Sequence, residues 1–460
     1  MNNFWDFSVW GWFNVLAVLL ISLLAAKALK KAVPLLNASL IPTSVLGGGI
    51  LLIVAGVYKL ITGNVMFDTP FFGESGTTTL EIITYHCLAL GFVASTLKSS
   101  GGKLSKKRTT EIFNTGVTTV STYLLQAFVG FGITMVVAAV MDGFFPAAGV
   151  LLPFGYGQGT GQAMNYGNIY EQEFGFVGGK SFGLTIAALG FLSASLGGVA
   201  HLYILKKKGY TMDRGSGDGE IVAASIQAEN EIPMQESMDK ITVQLALIAL
   251  AYFIAQLLMI GLGKILPGMK SVIYGFNFLL GVAAATIVKA ILNLLNRKGL
   301  VRRRHTNDFL LTRCSNFFYD LMVVAGVAAI RLGILESYWG IMLILGVVGL
   351  VLTYFYNLFV AKKLFPEYPQ EQFLMMYGML TGTASTGVIL LREIDGDFKT
   401  PAADNMVYQN LPAIVFGFPM MLLATLAPVK PTLTMIILVA FFLVMNVILF
   451  RSFIFKRRKK

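Results

Sequence analysis

Charge is what this chain has least of. Asp, Glu, Lys and Arg make up 13% of its 460 residues, against 55% hydrophobic residues and a mean hydropathy of +0.70. Soluble domains carry about 25% charge, so a soluble globular protein is excluded and an integral membrane protein is read instead. Cysteine is almost missing. Cys87 and Cys314 give no disulfide framework, and they fall at different expected membrane depths, so no bridge between them is expected. Histidine occurs three times, at 86, 201 and 305, without the clustering a metal centre needs. No Gly-Lys-Ser/Thr follows a Gly-rich stretch, which removes a phosphate loop. No Ser nucleophile elbow or acidic dyad stands out, and an enzyme is not expected. The net charge of +12 raises nucleic acid as a partner. That reading fails because the basic residues sit in short loops beside apolar runs rather than along one polar face.

What is present is a succession of runs long enough to span a bilayer, about 20 residues each. They fall near 8–28, 42–62, 79–97, 109–141 and 176–205, then near 239–265, 271–296, 308–332, 337–361 and 404–428, with a last one at 432–455. The first starts near Phe7 without a basic leader or a small-residue cleavage site, so it reads as a span. Two apolar stretches, 146–166 and 369–391, are too interrupted for simple spans and read as re-entrant hairpins. The one long polar stretch, 206–238, reads as a linker.

Basic clusters follow alternate runs: Lys27, Lys30 and Lys31, then Lys103–Arg108, Lys206–Lys208, Arg302–Arg304, Lys362 with Lys363, and Lys456–Lys460. All share one side if the N-terminus lies outside and the C-terminus in the cytoplasm of a plasma (inner) membrane. Five spans precede the linker, so the second set enters from the opposite face. The expected architecture is therefore an all-α polytopic membrane protein of about eleven transmembrane helices plus two re-entrant hairpins in two inverted-topology repeats. Its expected division is 1–205 (first repeat), 206–238 (cytoplasmic linker), 239–428 (second repeat) and 429–460 (extra helix and basic tail).

The two interruptions are the candidate site. One reads Gly155-Tyr156-Gly157-Gln158-Gly159-Thr160-Gly161-Gln162, the other Leu380-Thr381-Gly382-Thr383-Ala384-Ser385-Thr386-Gly387. Paired helix breaks at matching places in two halves mark a transporter's binding site, because backbone freed from helical bonding needs protein, ligand or water to satisfy it. Gly157, Gln158, Gly159, Thr160, Gly161, Gln162 and Asn165 from the first break, with Gly382 and Thr383 from the second, are candidates for substrate contact. Thr381, Thr383 and Ser385 offer hydroxyl oxygens to a small cation such as Na⁺. The competing reading is that the small residues only allow close helix packing. Asp320, amid Phe317, Phe318 and Leu321, is either a Na⁺ ligand or half of a salt bridge. Arg392 either grips a cargo carboxylate or anchors the chain at the membrane surface. Gln126, Asn357 and Gln409 read as helix–helix hydrogen bonds, and His86 as a packed, hydrogen-bonded residue.

Several motifs together resemble the sodium–glutamate symporter family: Ile41-Pro42-Thr43-Ser44-Val45-Leu46-Gly47-Gly48, Leu90-Gly91-Phe92-Val93-Ala94-Ser95, and Gly157-Gln158-Gly159-Thr160-Gly161, which is similar to the family's Gly-His-Gly-Thr-Gly. Glu173-Phe174-Gly175-Phe176 and Gly197-Gly198 fit as well, and the likeness runs over roughly 8–428. It departs at Gln158, where the family has His, and in the second break, which is poorer in Gly and richer in hydroxyls. The resemblance implies an elevator-type, Na⁺-coupled, homodimeric secondary transporter in the lipid bilayer. Its expected cargo is a small organic anion, glutamate or a related dicarboxylate, with a hydroxycarboxylate as the alternative and an ion channel as the reading from another class. Na⁺ is the implied coupling ion, and no organic cofactor is expected.

Overall fold

The computed structural model describes residues 3–98, 105–210, 231–234, 237–300, 303–331, 338–396 and 398–454, without the side chains at 268, 271, 272, 385 and 411. In chain order its helices are α1 (Phe7–Ala32), α2 (Pro34–Ala38), α3 (Thr43–Thr62), α4 (Gly76–Leu97), α5 (Lys106–Val140), α6 (Leu151–Phe174) and α7 (Gly179–Lys207). They continue as α8 (Lys240–Ile265), α9 (Lys270–Gly275), α10 (Asn277–Arg297), α11 (Asp308–Ala328) and α12 (Trp339–Leu364). The last group is α13 (Pro369–Thr381), α14 (Ala384–Arg392), α15 (Ala402–Tyr408), α16 (Asn410–Leu426), α17 (Pro431–Leu449) and α18 (Arg451–Ile454). No strand occurs among the described residues. The linker at 211–230 and the basic tail at 455–460 lie outside them.

Nine described helices are long and apolar enough to cross a membrane, ten if the bent pair Ala402–Tyr408 and Pro412–Leu426 is one span. Eleven were expected. The shortfall falls on α11, 21 residues long but with Arg313, Asn316 and Asp320 interrupting its apolar sequence. Length alone does not make a span; the side chains must also tolerate hydrocarbon. A polytopic, all-helical membrane protein is what these elements form.

The chain divides into two compact units, and each draws on both halves of the sequence. The first takes residues 1–20, 67–103 and 218–326, the second 21–66, 104–217 and 327–460. In the first, α4, α8, α10 and α11 bury Val93, Leu97, Ile248, Ala285 and Leu311 against one another. Polar groups on these helices pair across the packing, as buried hydrogen-bonding groups must. The Ser95 and Ser315 hydroxyls lie 2.8 Å apart, and Asn277 donates to the Tyr85 carbonyl at 3.0 Å. His86 Nδ1 lies 2.7 Å from the Tyr252 hydroxyl, the packed and bonded state expected of it. Cys87 and Cys314 are both buried here as free thiols.

The second unit is built around α5, which packs against α6, α12, α13, α16 and α17. Its buried face is rich in hydroxyls, Thr115, Thr118, Thr119, Ser121 and Thr122. Several of them bond back to the carbonyl four residues earlier: Thr115 to Glu111 (2.8 Å), Thr118 to Asn114 (2.7 Å) and Thr122 to Thr118 (2.8 Å). The helix thus satisfies these three hydroxyls itself, and they pass through an apolar run unnoticed.

Candidate functional site

Both interrupted stretches are helical hairpins, and both lie in the second unit. In α6 the backbone is helical except at Gly159, with φ 77° and ψ −170°. That region of backbone space is open essentially to glycine alone, which is why the helix breaks at this residue rather than at Gly157 or Gly161. The chain then doubles back. Phe154 and Tyr166 stack at 3.8 Å between ring centroids with planes 12° apart, although twelve helical residues would separate them by about 18 Å.

The second hairpin turns at Gly382 and Thr383, between α13 and α14. Its arms touch through glycine: a methyl on Gly378 would lie 2.7 Å from the Gly387 Cα, and one on Gly387 would lie 2.4 Å from the Met375 carbonyl oxygen. Thr383 stands at the N-cap of α14 in extended backbone, yet its hydroxyl does not cap the helix. It lies 3.4 Å from the Thr386 hydroxyl instead. The first-turn amides of α14 therefore keep the positive end of a helix dipole uncapped by that side chain.

A single helix holds the two turns together. On α5, the Tyr123 hydroxyl donates to the Gly157 carbonyl at 2.9 Å, two residues before the first turn. One helical turn along, Gln126 Nε2 donates to the Leu380 carbonyl at 3.0 Å, two residues before the second turn. The same amide donates to the Thr353 hydroxyl of α12 at 2.7 Å. The Tyr123 side chain also packs on Met376, Met379 and Leu380 of α13. From α7, Gly190 wedges between the hairpins: a methyl there would sit 2.5 Å from the Thr381 carbonyl oxygen and 3.2 Å from the Tyr156 ring. Tyr156 bonds to the Gly346 carbonyl (2.6 Å) and the Ser193 hydroxyl (2.8 Å), and Tyr377 to the Ser193 carbonyl (2.7 Å). The two interruptions meet.

Three buried polar atoms at this meeting place have no hydrogen-bond partner among the described residues: Gln162 Nε2, Gln126 Oε1 and Asn357 Oδ1. Gln162 is 1% exposed, Gln126 0% and Asn357 1%, so water does not reach them from outside. Gln162 accepts from Asn165 Nδ2 at 3.1 Å through its oxygen, which leaves its amino group as a free donor in the first turn after Gly159. Asn357 spends its amino group on the Thr353 carbonyl at 2.9 Å and stands 3.4 Å from the Thr122 hydroxyl. A buried group without a partner costs about 1–3 kcal/mol. An orphan donor on the first hairpin and the orphan Gln126 oxygen beside the second are what a bound anion and a bound cation would satisfy.

The family model of the sodium/glutamate symporter matches residues 11–368. The chain belongs to that family. It is thus a symporter-type transporter rather than an enzyme, with Na⁺ as the coupling ion that the family implies. The match takes in the whole first hairpin and ends one residue before Pro369, where the second hairpin of this symporter begins. No curated protein sequence matches the chain.

Of the residues expected at the site, Gly157, Gly159, Thr160, Gly161, Gln162, Asn165, Thr381 and Gly382 are buried at the hairpins, and Gln158 and Thr383 half-buried. The Thr381 hydroxyl donates to the Tyr377 carbonyl of its own helix at 2.6 Å. The side chain of Ser385 lies outside the described residues. Asp320 belongs to the first unit, where it is exposed on α11. Arg392 is exposed at the far end of α14, its guanidinium 5.2 Å from the Phe398 ring centroid. Gln126, Asn357 and Gln409 do bond between or along helices, as expected. Tyr123, Gly190 and the orphan oxygens of Gln126 and Asn357 are what the sequence reading missed at the site itself. The only available signal was a Gln and an Asn within spans whose other residues are apolar.

Proposed function

We propose that this symporter carries a small organic anion, glutamate or a related dicarboxylate, together with Na⁺, at the junction of the two hairpins. The observation behind this is the pair of α5 bonds, Tyr123 to the Gly157 carbonyl and Gln126 to the Leu380 carbonyl, which brings both helix interruptions to one place. The anion lies against the first hairpin, where Gln162 Nε2 and the amides after Gly159 offer donors at a positive helix end. Asn165 orients the Gln162 amide for this task. The cation takes oxygens near the second hairpin. Gln126 Oε1 and Asn357 Oδ1 are hard neutral ligands of the kind a small cation accepts, and Thr381, Thr383 and Ser385 supply hydroxyls. Asp320 and Arg392 remain outside this core, the first as a second Na⁺ ligand and the second as a surface anchor.

On this reading the halves before and after the linker are inverted repeats, the protein is a homodimer of the elevator type, and its N-terminus faces outward. The alternation of basic loops supports the orientation, and the paired hairpins support alternating access around one site. Uptake of labelled glutamate into vesicles holding the purified protein tests the coupling. An inward Na⁺ gradient drives accumulation; uptake indifferent to that gradient overturns the reading.

A second cargo, a hydroxycarboxylate, is favoured by one observation. The family match covers residues 11–368 and not the second hairpin, where Thr381, Thr383 and Thr386 offer hydroxyls that suit a hydroxylated cargo. A panel of carboxylates in a thermal-shift assay separates the two, because the true cargo stabilises by mass action.

A further inference from the structure

Away from the hairpins, the Lys106 end of α5 borders two adjoining depressions of about 410 and 510 Å³ that share Thr110. The larger is lined by Lys106, Thr109, Phe113 and Arg451; the other by Lys107, Glu111, Lys363, Glu367 and Phe453 among others. Both acids are already engaged. Glu367 pairs with Lys107 at 2.6 Å, and Glu111 with Arg108 at 2.8 Å. Lys106, Lys363 and Arg451 have no carboxylate partner among the described residues. Arg451 donates only to neutral oxygens, Asn114 Oδ1 at 2.9 Å and the Ile448 carbonyl at 2.8 Å, with its guanidinium 4.9 Å from the Phe113 centroid. Three uncompensated cations therefore ring an open groove.

The groove is amphiphilic. Phe359 lies one helical turn before Lys363, hence on the same face of α12. It packs on Phe450 at 5.6 Å, which packs on Phe453 at 6.4 Å. Phe359 and Phe453 are each 50% exposed, and the apolar surface continues along α17 through Leu443 and Val447. Lys363 thus shares a depression with Phe453 and a helix face with Phe359. A soluble anion would use the cations and leave the apolar surface bare; a neutral lipid would do the reverse.

We infer that this groove binds an anionic phospholipid, its phosphate among Lys106, Lys363 and Arg451 and its acyl chains along Phe359, Phe450 and α17. A phosphatidylcholine brings its own ammonium group and adds no net negative charge, whereas a phosphatidylglycerol adds one. The bound lipid lies against the helix that holds both hairpins: Tyr123 is 17 residues from Lys106 along α5, about 25 Å.

The test uses the purified full-length protein in neutral detergent, with phosphatidylglycerol, phosphatidylcholine or soluble glycerol phosphate added, and the thermal unfolding midpoint as readout. Phosphatidylglycerol raises the midpoint in a saturable way; the other two do not. Lys363→Gln, at an exposed side chain whose loss leaves the packing intact, weakens the apparent lipid affinity about fivefold. The triple change Lys106→Gln, Lys363→Gln and Arg451→Gln abolishes the shift. An equal response to phosphatidylcholine or to glycerol phosphate overturns the proposal, as does an unchanged affinity in Lys363→Gln. The readout needs no transport, so it stands or falls separately from the assignment of cargo.

Discussion

Replacing Gln126 by Leu separates a structural amide from a cation ligand. The side chain makes two hydrogen bonds through Nε2, at 2.7 and 3.0 Å, and leaves Oε1 with no partner among the described residues. Losing the donor leaves both the Leu380 carbonyl and the Thr353 hydroxyl without it, each at a cost of about 1–3 kcal/mol. Removing Oε1 relieves an orphan of about the same size. Without Na⁺ one of the two losses is offset, and Gln126→Leu destabilises by about 1–3 kcal/mol. With Na⁺ the deficit grows. A bound ion stabilises the wild type by about 2.7 kcal/mol at a hundred times its dissociation constant, and the variant forfeits most of that. The assay is thermal unfolding of wild type and variant in sodium chloride against choline chloride at equal ionic strength. The expected result is a Na⁺-dependent rise in the wild type that shrinks by more than half in Gln126→Leu and returns in Gln126→Glu, which restores an oxygen. A variant with the full Na⁺ response removes Gln126 from the cation site.

Three further outcomes follow from the same geometry. Gly159→Ala forces a side chain into backbone space reserved for glycine and destabilises by about 1–3 kcal/mol; Gly161→Ala, in helical backbone, carries no such strain, and equal losses in a melting assay would show the turn lies elsewhere. Tyr123→Phe deletes the bond to the Gly157 carbonyl, costs about 0.5–1.5 kcal/mol and lowers transport more than expression; unaltered uptake kinetics would contradict a bracing role. Arg392→Gln, at an exposed side chain stacked on Phe398, leaves the KM for a carboxylate cargo unchanged; a tenfold rise would place the guanidinium at the cargo.

The membrane class and the two hairpins were legible because each leaves a mark in local sequence. Hydrocarbon demands long apolar runs, and a helix that must turn inside protein demands residues such as Gly159 and Gly382. Membership in the symporter family was legible through the same short motifs, above all Gly157–Gly161. The partners of the hairpins were not. Tyr123 and Gln126 sit in an apolar span where nothing local distinguishes a helix–helix bond from a brace on a turn 34 or 254 residues away. Asp320 drew attention as a carboxylate among phenylalanines, yet a helix has two sides, and its exposed position on α11 follows from packing that one strand of sequence does not record. That helix is also the one expected span that is not apolar enough to count among the nine or ten, because Arg313, Asn316 and Asp320 give it a polar face.

The bracing of both hairpins by one helix has a mechanical consequence. Tyr123 and Gln126 are fixed one turn apart on a rigid rod, and each holds the main chain just ahead of a turn. Sliding one hairpin past the other would tear out at least one of these bonds and leave a buried carbonyl without its donor. On the proposed function, the cheaper displacement carries rod and hairpins together, so the two turns would open or close to solvent as a single cartridge rather than as independent doors. A gate worked from either hairpin alone would have to break this tie first, and the rate at which it breaks would then limit each cycle.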